Sequence, residues 1–178
     1  MQIAPVLVEL TAPASASSVR IKNTGKSTMS VQARLFGWTQ KKGTDSYFRT
    51  KDVVVSPPIL KLAPGKSGII RIVRLTKKPI TGEESYRLIV DELPKLASGK
   101  RSTVSLVLRH SIPVFFSNSA STVREPSWTA VRRKGKLYIQ GTNSGETRVK
   151  FTQLTLKDQR GNLITAGQGL NGYILGKS

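Results

Sequence analysis

The sequence predicts an all-β protein built on an immunoglobulin-like β-sandwich. Three observations lead there. Short runs rich in Val, Ile, Leu and Phe are separated by clusters of Gly, Pro, Asn and Ser about every 8 to 15 residues, the rhythm of strands joined by turns. No stretch carries a convincing apolar stripe at helical spacing. The chain of 178 residues, 38% of them hydrophobic, is long enough to bury a core in one large domain or two small ones.

In chain order the readable strands of the first part are 5–10, 18–23, 30–39, 53–55, 68–75, 86–93 and 103–116, seven in all and an immunoglobulin-like count. Asn23-Thr24-Gly25-Lys26 and Ala63-Pro64-Gly65-Lys66 read as turns, and 95–100 as a flexible hairpin connection. Ser56-Pro57-Pro58 ends a strand, and because neither proline can donate to a ladder the segment sits at a sheet edge or crosses between sheets. The mixed patch of Trp38, Tyr47 and Phe48 with Lys41, Lys42 and Arg49 reads as a hairpin end.

After Phe116 the polar run Ser117-Asn118-Ser119-Ala120-Ser121 suits a hinge. A first domain of 1–118 and a second of 119–178 are therefore expected, the second with strands at 128–131, 136–143, 150–157 and 173–175. It holds 60 residues, whereas a complete sandwich of this kind takes about 100, so the second domain is expected to be incomplete. No repeat at a fixed period is evident.

Composition narrows the function. There are no cysteines, which excludes disulfides, thiolate metal sites and cysteine nucleophiles but leaves the redox compartment open. No apolar run reaches the length of a membrane-spanning helix, and the opening residues lack a signal-peptide layout, so the expectation is a soluble chain whose export signal has been removed. The net charge of +19 is spread over both parts, +12 before residue 119 and +7 after it, and reads mainly as a solvated surface. The sole histidine, His110, lies in an apolar strand with no second ligand at metal spacing. Glu83-Glu84 and Asp91-Glu92 are neighbours on strands and so point to opposite faces, which leaves no acid/base pair. No enzyme, cofactor or metal is expected.

Residues 103–116 stand out: fourteen residues, against about five or six in a usual strand. Val104, Leu106 and Leu108 share one face, Ile112, Val114 and Phe116 continue it, and Arg109 falls on the other, which predicts a bend or bulge near Arg109 to Ser111. Pro113 argues for at least one open edge. Pattern alone leaves two readings, an ordinary core strand or a strand lent to another protein. In the second, burying three Val/Leu side chains in a partner contributes on the order of 5 to 9 kcal/mol before ordering costs.

The blocks Ser56-Pro57-Pro58-Ile59-Leu60-Lys61-Leu62-Ala63-Pro64-Gly65, Ile70-Arg71-Ile72-Val73-Arg74, Glu84 to Pro94 and Leu108 to Phe116 resemble, in order and spacing, the periplasmic pilus-assembly chaperones of the chaperone–usher pathway. Gly169 to Tyr173 looks like a piece of that family's second domain. The resemblance implies two immunoglobulin-like domains in a boomerang, residence in the periplasm, and donor-strand complementation of pilin subunits on their way to an outer-membrane usher. It makes Val104, Leu106 and Leu108 the donor residues. Better-known members also grip the pilin's terminal carboxylate with an arginine on the first strand and a lysine on the seventh; here neither is found, Pro113 stands in the lysine's place, and this departure resembles the archaic branch, whose chaperones use another anchor. A buried carboxylate still needs a charge-assisted partner, so Arg87 and then Arg109 are the candidate anchors. The reading leaves open whether free chaperone hides its strand edge by self-association, a common remedy for exposed strands. The rival readings are a secreted pilin or adhesin domain and a basic nucleic-acid-binding module, though no nucleic-acid partner is expected.

Overall fold

The computed structural model describes residues 1–94, 106–158, 160–166 and 172–178. Every regular element among them is a strand, sixteen in all. They form two compact units. The first comprises Met1–Trp38, Tyr47–Ile80 and Glu84–Ser119, the second Thr39–Ser46, Thr81–Glu83 and Ala120–Ser178.

In the first unit β1 (Gln2–Ala4), β3 (Ala16–Lys22), β8 (Ser67–Arg74) and β6 (Val53–Ser56) make a four-stranded sheet in the order β1-β3-β8-β6. The second sheet runs β2 (Val8–Thr11), β10 (Arg109–Ser117), β9 (Glu83–Leu93), β4 (Met29–Lys41), β5 (Thr44–Arg49), with β7 (Ile59–Leu62) also on β4. Period-two burial explains each. Val19 and Ile21 of β3, Ile70 and Ile72 of β8, Leu88 and Val90 of β9 and Val114 and Phe116 of β10 all point into one core and are essentially inaccessible to water. At one end Arg74 ties the sheets together. Its Nε and Nη2 donate to both oxygens of Glu84, at 2.8 and 2.7 Å, while Nη1 and Nη2 also donate to the carbonyls of Thr76 and Lys78.

Several expectations change. The single first strand, 5–10, is two strands in different sheets: β1 pairs with β3, and β2 pairs with β10. Pro5 has no N–H for a ladder and Val6 is exposed, so the chain crosses over there. Pro57-Pro58 likewise marks a crossing, since β6 pairs with β8 and β7 with β4. Of the strand expected from 103 to 116, the regular part is Arg109–Ser117, and the described residues 106–108 precede it outside any strand. Val104 and the connection 95–100 lie outside the described residues.

The second unit holds three two-stranded sheets. These are β11 (Ser127–Arg133) with β12 (Lys136–Thr142), β13 (Val149–Phe151) with β16 (Gly172–Ile174), and β14 (Leu154–Lys157) with β15 (Leu163–Ala166). The expected strand 150–157 is thus divided into β13 and β14, which belong to different sheets. Gln40 braces β16 through both ends of its amide. Nε2 donates to the Tyr173 carbonyl and Oε1 accepts from the Leu175 N–H, each at 2.9 Å. Glu83 and Arg148 form an ion pair, and the Arg148 N–H donates to Glu83 Oε1 at 3.0 Å.

Candidate functional site: an open strand edge

The first strand's crossing decides where the second sheet is open. After it, β2 runs parallel to β10 but reaches only from Val8↔Val114 to Thr11↔Ser117. Upstream of Val114, no described strand takes the outer edge of β10, from Arg109 to Pro113. That edge presents backbone donors and acceptors to any extended chain that can lie along it. Pro113 removes one donor at the point where β2 gives out.

The two faces of β10 differ. Ile112, Val114 and Phe116 enter the core. On the other face Phe115 meets Trp38, ring centroids 5.9 Å apart, and the guanidinium of Arg87 lies 3.8 Å from the centre of the Trp38 ring. Before Arg109 the chain leaves the regular strand, although Glu92 still donates its N–H to the Leu108 carbonyl at 2.9 Å. Here Leu106, Val107 and Leu108 are exposed by 89%, 49% and 47%. Three consecutive large apolar side chains in water next to an unpaired edge have a plain use, which is burial in something else.

A small charge cluster sits at the start of β10. Asp91 accepts from Arg34 Nη2 on Oδ2 and from Arg109 Nε on Oδ1, both at 2.5 Å. The Arg109 hydrogen bond, followed by that of Arg34, holds the Asp91 carboxyl below its ordinary range against the opposing effect of burial. The Arg109 side chain is nonetheless 67% exposed. His110 is half-buried, and among the described residues its Nε2 has no hydrogen-bond partner.

Of the residues singled out in the sequence, Leu106 and Leu108 therefore lie exposed at the open edge, and Arg109 begins the strand that carries it. Arg87 stands on β9, against Trp38 rather than beside Asp91. Sequence reasoning missed the Arg34–Asp91–Arg109 cluster and the Arg87–Trp38 stack. Alternation on β4 and β9 could have put Arg34, Trp38, Arg87 and Asp91 on one face, but only the register, with Phe36 opposite Arg87, fixes who meets whom.

Comparison with known proteins bears on this geometry. The family model described as "Pili and flagellar-assembly chaperone, PapD N-terminal domain" matches residues 1–120. No curated protein sequence matches the chain. Among solved structures, similarity extends to the CsuC–CsuE chaperone–tip subunit pre-assembly complex from the archaic chaperone–usher Csu pili of Acinetobacter baumannii, with 26% identity and a TM-score of 0.71 over 99% of this chain and 86% of that one. The CupB2 chaperone of Pseudomonas aeruginosa matches with 18% identity and a TM-score of 0.66, covering 99% and 84%. The Salmonella enterica SafA pilin in complex with the SafB chaperone matches with 15% identity and a TM-score of 0.60, again covering 99% and 84%. The immunoglobulin-like fold expected from the strand count agrees with these likenesses.

Proposed function

We propose that this chain, which belongs to the family of pili and flagellar-assembly chaperones, holds unfinished pilin subunits on the open edge of β10. It is a pilus chaperone working by donor-strand complementation. The observation that carries the reading is the stretch from Leu106 to Pro113, where exposed apolar side chains run into a strand edge that β2 does not cover. An extended apolar segment beside a free edge can replace a strand that its partner lacks, and chaperone–pilin pairing is a known instance of such strand addition. Two of the solved structures are complexes of a chaperone with a tip subunit or a pilin, which supports the same partner class for this chain.

The finer assignments follow from this reading. Val104, Leu106 and Leu108 are the donor residues. Residues 1–118 and 119–178 are the family's two domains. The work takes place in the periplasm and ends with delivery to an outer-membrane usher, and the chain catalyses no reaction. For the subunit's terminal carboxylate Arg87 is the first anchor, because its guanidinium is held over the Trp38 ring, 3.8 Å from its centre. Arg109 is the second, since part of its hydrogen-bonding capacity is engaged by Asp91.

Co-expression with candidate pilins and isolation of a one-to-one complex tests the reading. Leu106→Glu should abolish the complex while the chain stays folded by circular dichroism, because Leu106 is exposed in the free protein. Normal capture by that variant would remove the donor assignment. Arg87→Ala should weaken capture roughly tenfold, the scale of one charge-assisted hydrogen bond, without unfolding. Unchanged capture would move the anchor to another residue.

A further inference from the structure

The sheet that does not carry the open edge of β10 has an exposed surface of its own. In β1, β3, β8 and β6 alternate side chains enter the core, and the others form an outer face turned away from the second sheet. The pairing lays that face out as a grid. Lys22 stands opposite Ser67 and Arg20 opposite Ile69, while Arg71 lies between Ser18 and Ser56. Arg20, Lys22 and Arg71 are all exposed.

The charge of this face has one sign. Its four strands contain no aspartate or glutamate. Elsewhere Arg34, Arg74, Arg109 and Arg148 each pair with a carboxylate, but among the described residues Arg20, Lys22 and Arg71 pair with none. Arg20 and Arg71 are diagonal neighbours across β3 and β8, close enough for like charges to repel. An anion lying on the face removes that repulsion. Arginine's planar fork, with the hydroxyls of Ser18 and Ser56 beside Arg71, suits phosphate oxygens.

Size and shape choose among anionic partners. Strands about 4.8 Å apart and same-face rows about 6.8 Å apart give the face an area on the order of 400 Å². That is about half of the ~800 Å² that each side of a standard protein complex covers. A bilayer needs no matching contour, because it meets a flat sheet with many headgroups at once. Ile69, 47% exposed beside Arg20, supplies an apolar contact, and such contact adds to electrostatic attraction at lipid surfaces.

We propose that the outer face of β1, β3, β8 and β6 docks on the surface of an anionic lipid bilayer, with Arg20, Lys22 and Arg71 on lipid phosphates and Ile69 at the headgroup boundary. The second sheet then faces away from the lipid, and its edge at β10 stays accessible. The face shares no residue with that edge, so it stands whether or not the pilin reading does.

Co-sedimentation of the full chain with vesicles tests it. The chain should bind vesicles of equal parts phosphatidylglycerol and phosphatidylcholine and leave those of phosphatidylcholine alone. The variant Arg20→Gln/Lys22→Gln/Arg71→Gln should bind the anionic vesicles about a hundredfold more weakly, roughly fivefold for each cation lost. Arg132→Gln/Arg133→Gln/Lys136→Gln removes the same charge from the β11–β12 hairpin and should weaken binding less than about fivefold in all. Circular dichroism should show both variants folded, since every substituted side chain is exposed. Ile69→Gln should weaken binding several-fold with the charge unchanged. Equal losses in the two charge variants overturn the proposal, because net charge alone would then account for binding. Equal binding of the neutral vesicles overturns it, as does wild-type affinity in Ile69→Gln. Displacement by inorganic phosphate at an ionic strength where sodium chloride leaves binding intact also overturns it, because the face would then hold a free ion rather than a surface.

Discussion

Asp91 shows how much of this surface is set by single residues whose partners are far away in sequence. Arg34 is 57 residues before it and Arg109 is 18 after it, and nothing local links the three. One carboxylate between two guanidinium groups is held charged, and its value is lowered first by Arg109 and then by Arg34. A group whose folded value is depressed contributes its full stabilisation above the unfolded value, near 3.8, and loses it as pH falls through the lower, folded value. The wild-type protein should therefore lose stability as pH falls below about 4 in a way that Asp91→Asn does not. Urea midpoints at pH 5 and pH 2.5 for both proteins check this, and parallel losses would dismiss the cluster as a surface ornament. The effect should be modest, because both arginines are substantially exposed and solvent screens the pair.

At the level of elements, legibility depended on whether burial imposed a period. β3, β8 and β9, each seven or more residues long, alternate buried side chains with more accessible ones and were plain in the sequence. β5 has all six side chains exposed, so no apolar period marked it, and β7 is only four residues long directly behind two prolines. The division of the first strand between two sheets was hidden too, because Val6 is apolar yet faces water. That division is what leaves the edge of β10 open, so half of the candidate site was written in an element boundary that propensity does not resolve. The apolar residues proposed as donors, Leu106 and Leu108, were legible because they alternate; the register that brings Arg109 to Asp91 and Phe115 to Trp38 was not. The matched turns of the buried Asn23 and Asn143 were also overlooked, since their partners, Leu62 and Ile174, lie 39 and 31 residues downstream. Each buried amide satisfies two carbonyls and one N–H. Asn23→Ala and Asn143→Ala should each cost about 2 to 4 kcal/mol, the sum of several lost bonds and carbonyls left dry. Chemical denaturation measures it, and a loss below about 0.5 kcal/mol, the range of ordinary surface substitutions, would mean that water replaces the amide.

For the whole molecule the contrast between the two cores governs behaviour. The first unit closes two sheets over one continuous cluster of buried apolar residues, while the described apolar burial of the second rests on Tyr173, Ile174 and Leu175. Both strands of the β11–β12 pair are largely exposed, with Trp128, Leu137 and Tyr138 each more than 40% accessible. Hydrophobic burial scales with apolar area removed from water, so the second unit should be the less stable one. The chain carries two tryptophans, and each unit holds one: Trp38 is 3% exposed in the first and Trp128 is 43% exposed in the second. Single-tryptophan variants, Trp128→Phe and Trp38→Phe, then report the units separately. In urea the Trp128 signal should change at a lower midpoint and with a smaller slope than the Trp38 signal, since less surface is exposed on unfolding a smaller core. Trp38→Phe removes a buried indole and will itself lower the midpoint of the first unit, so far-UV circular dichroism of the wild type serves as the reference. Coincident transitions by all three probes would show that the units unfold as one cooperative body and would overturn this ranking.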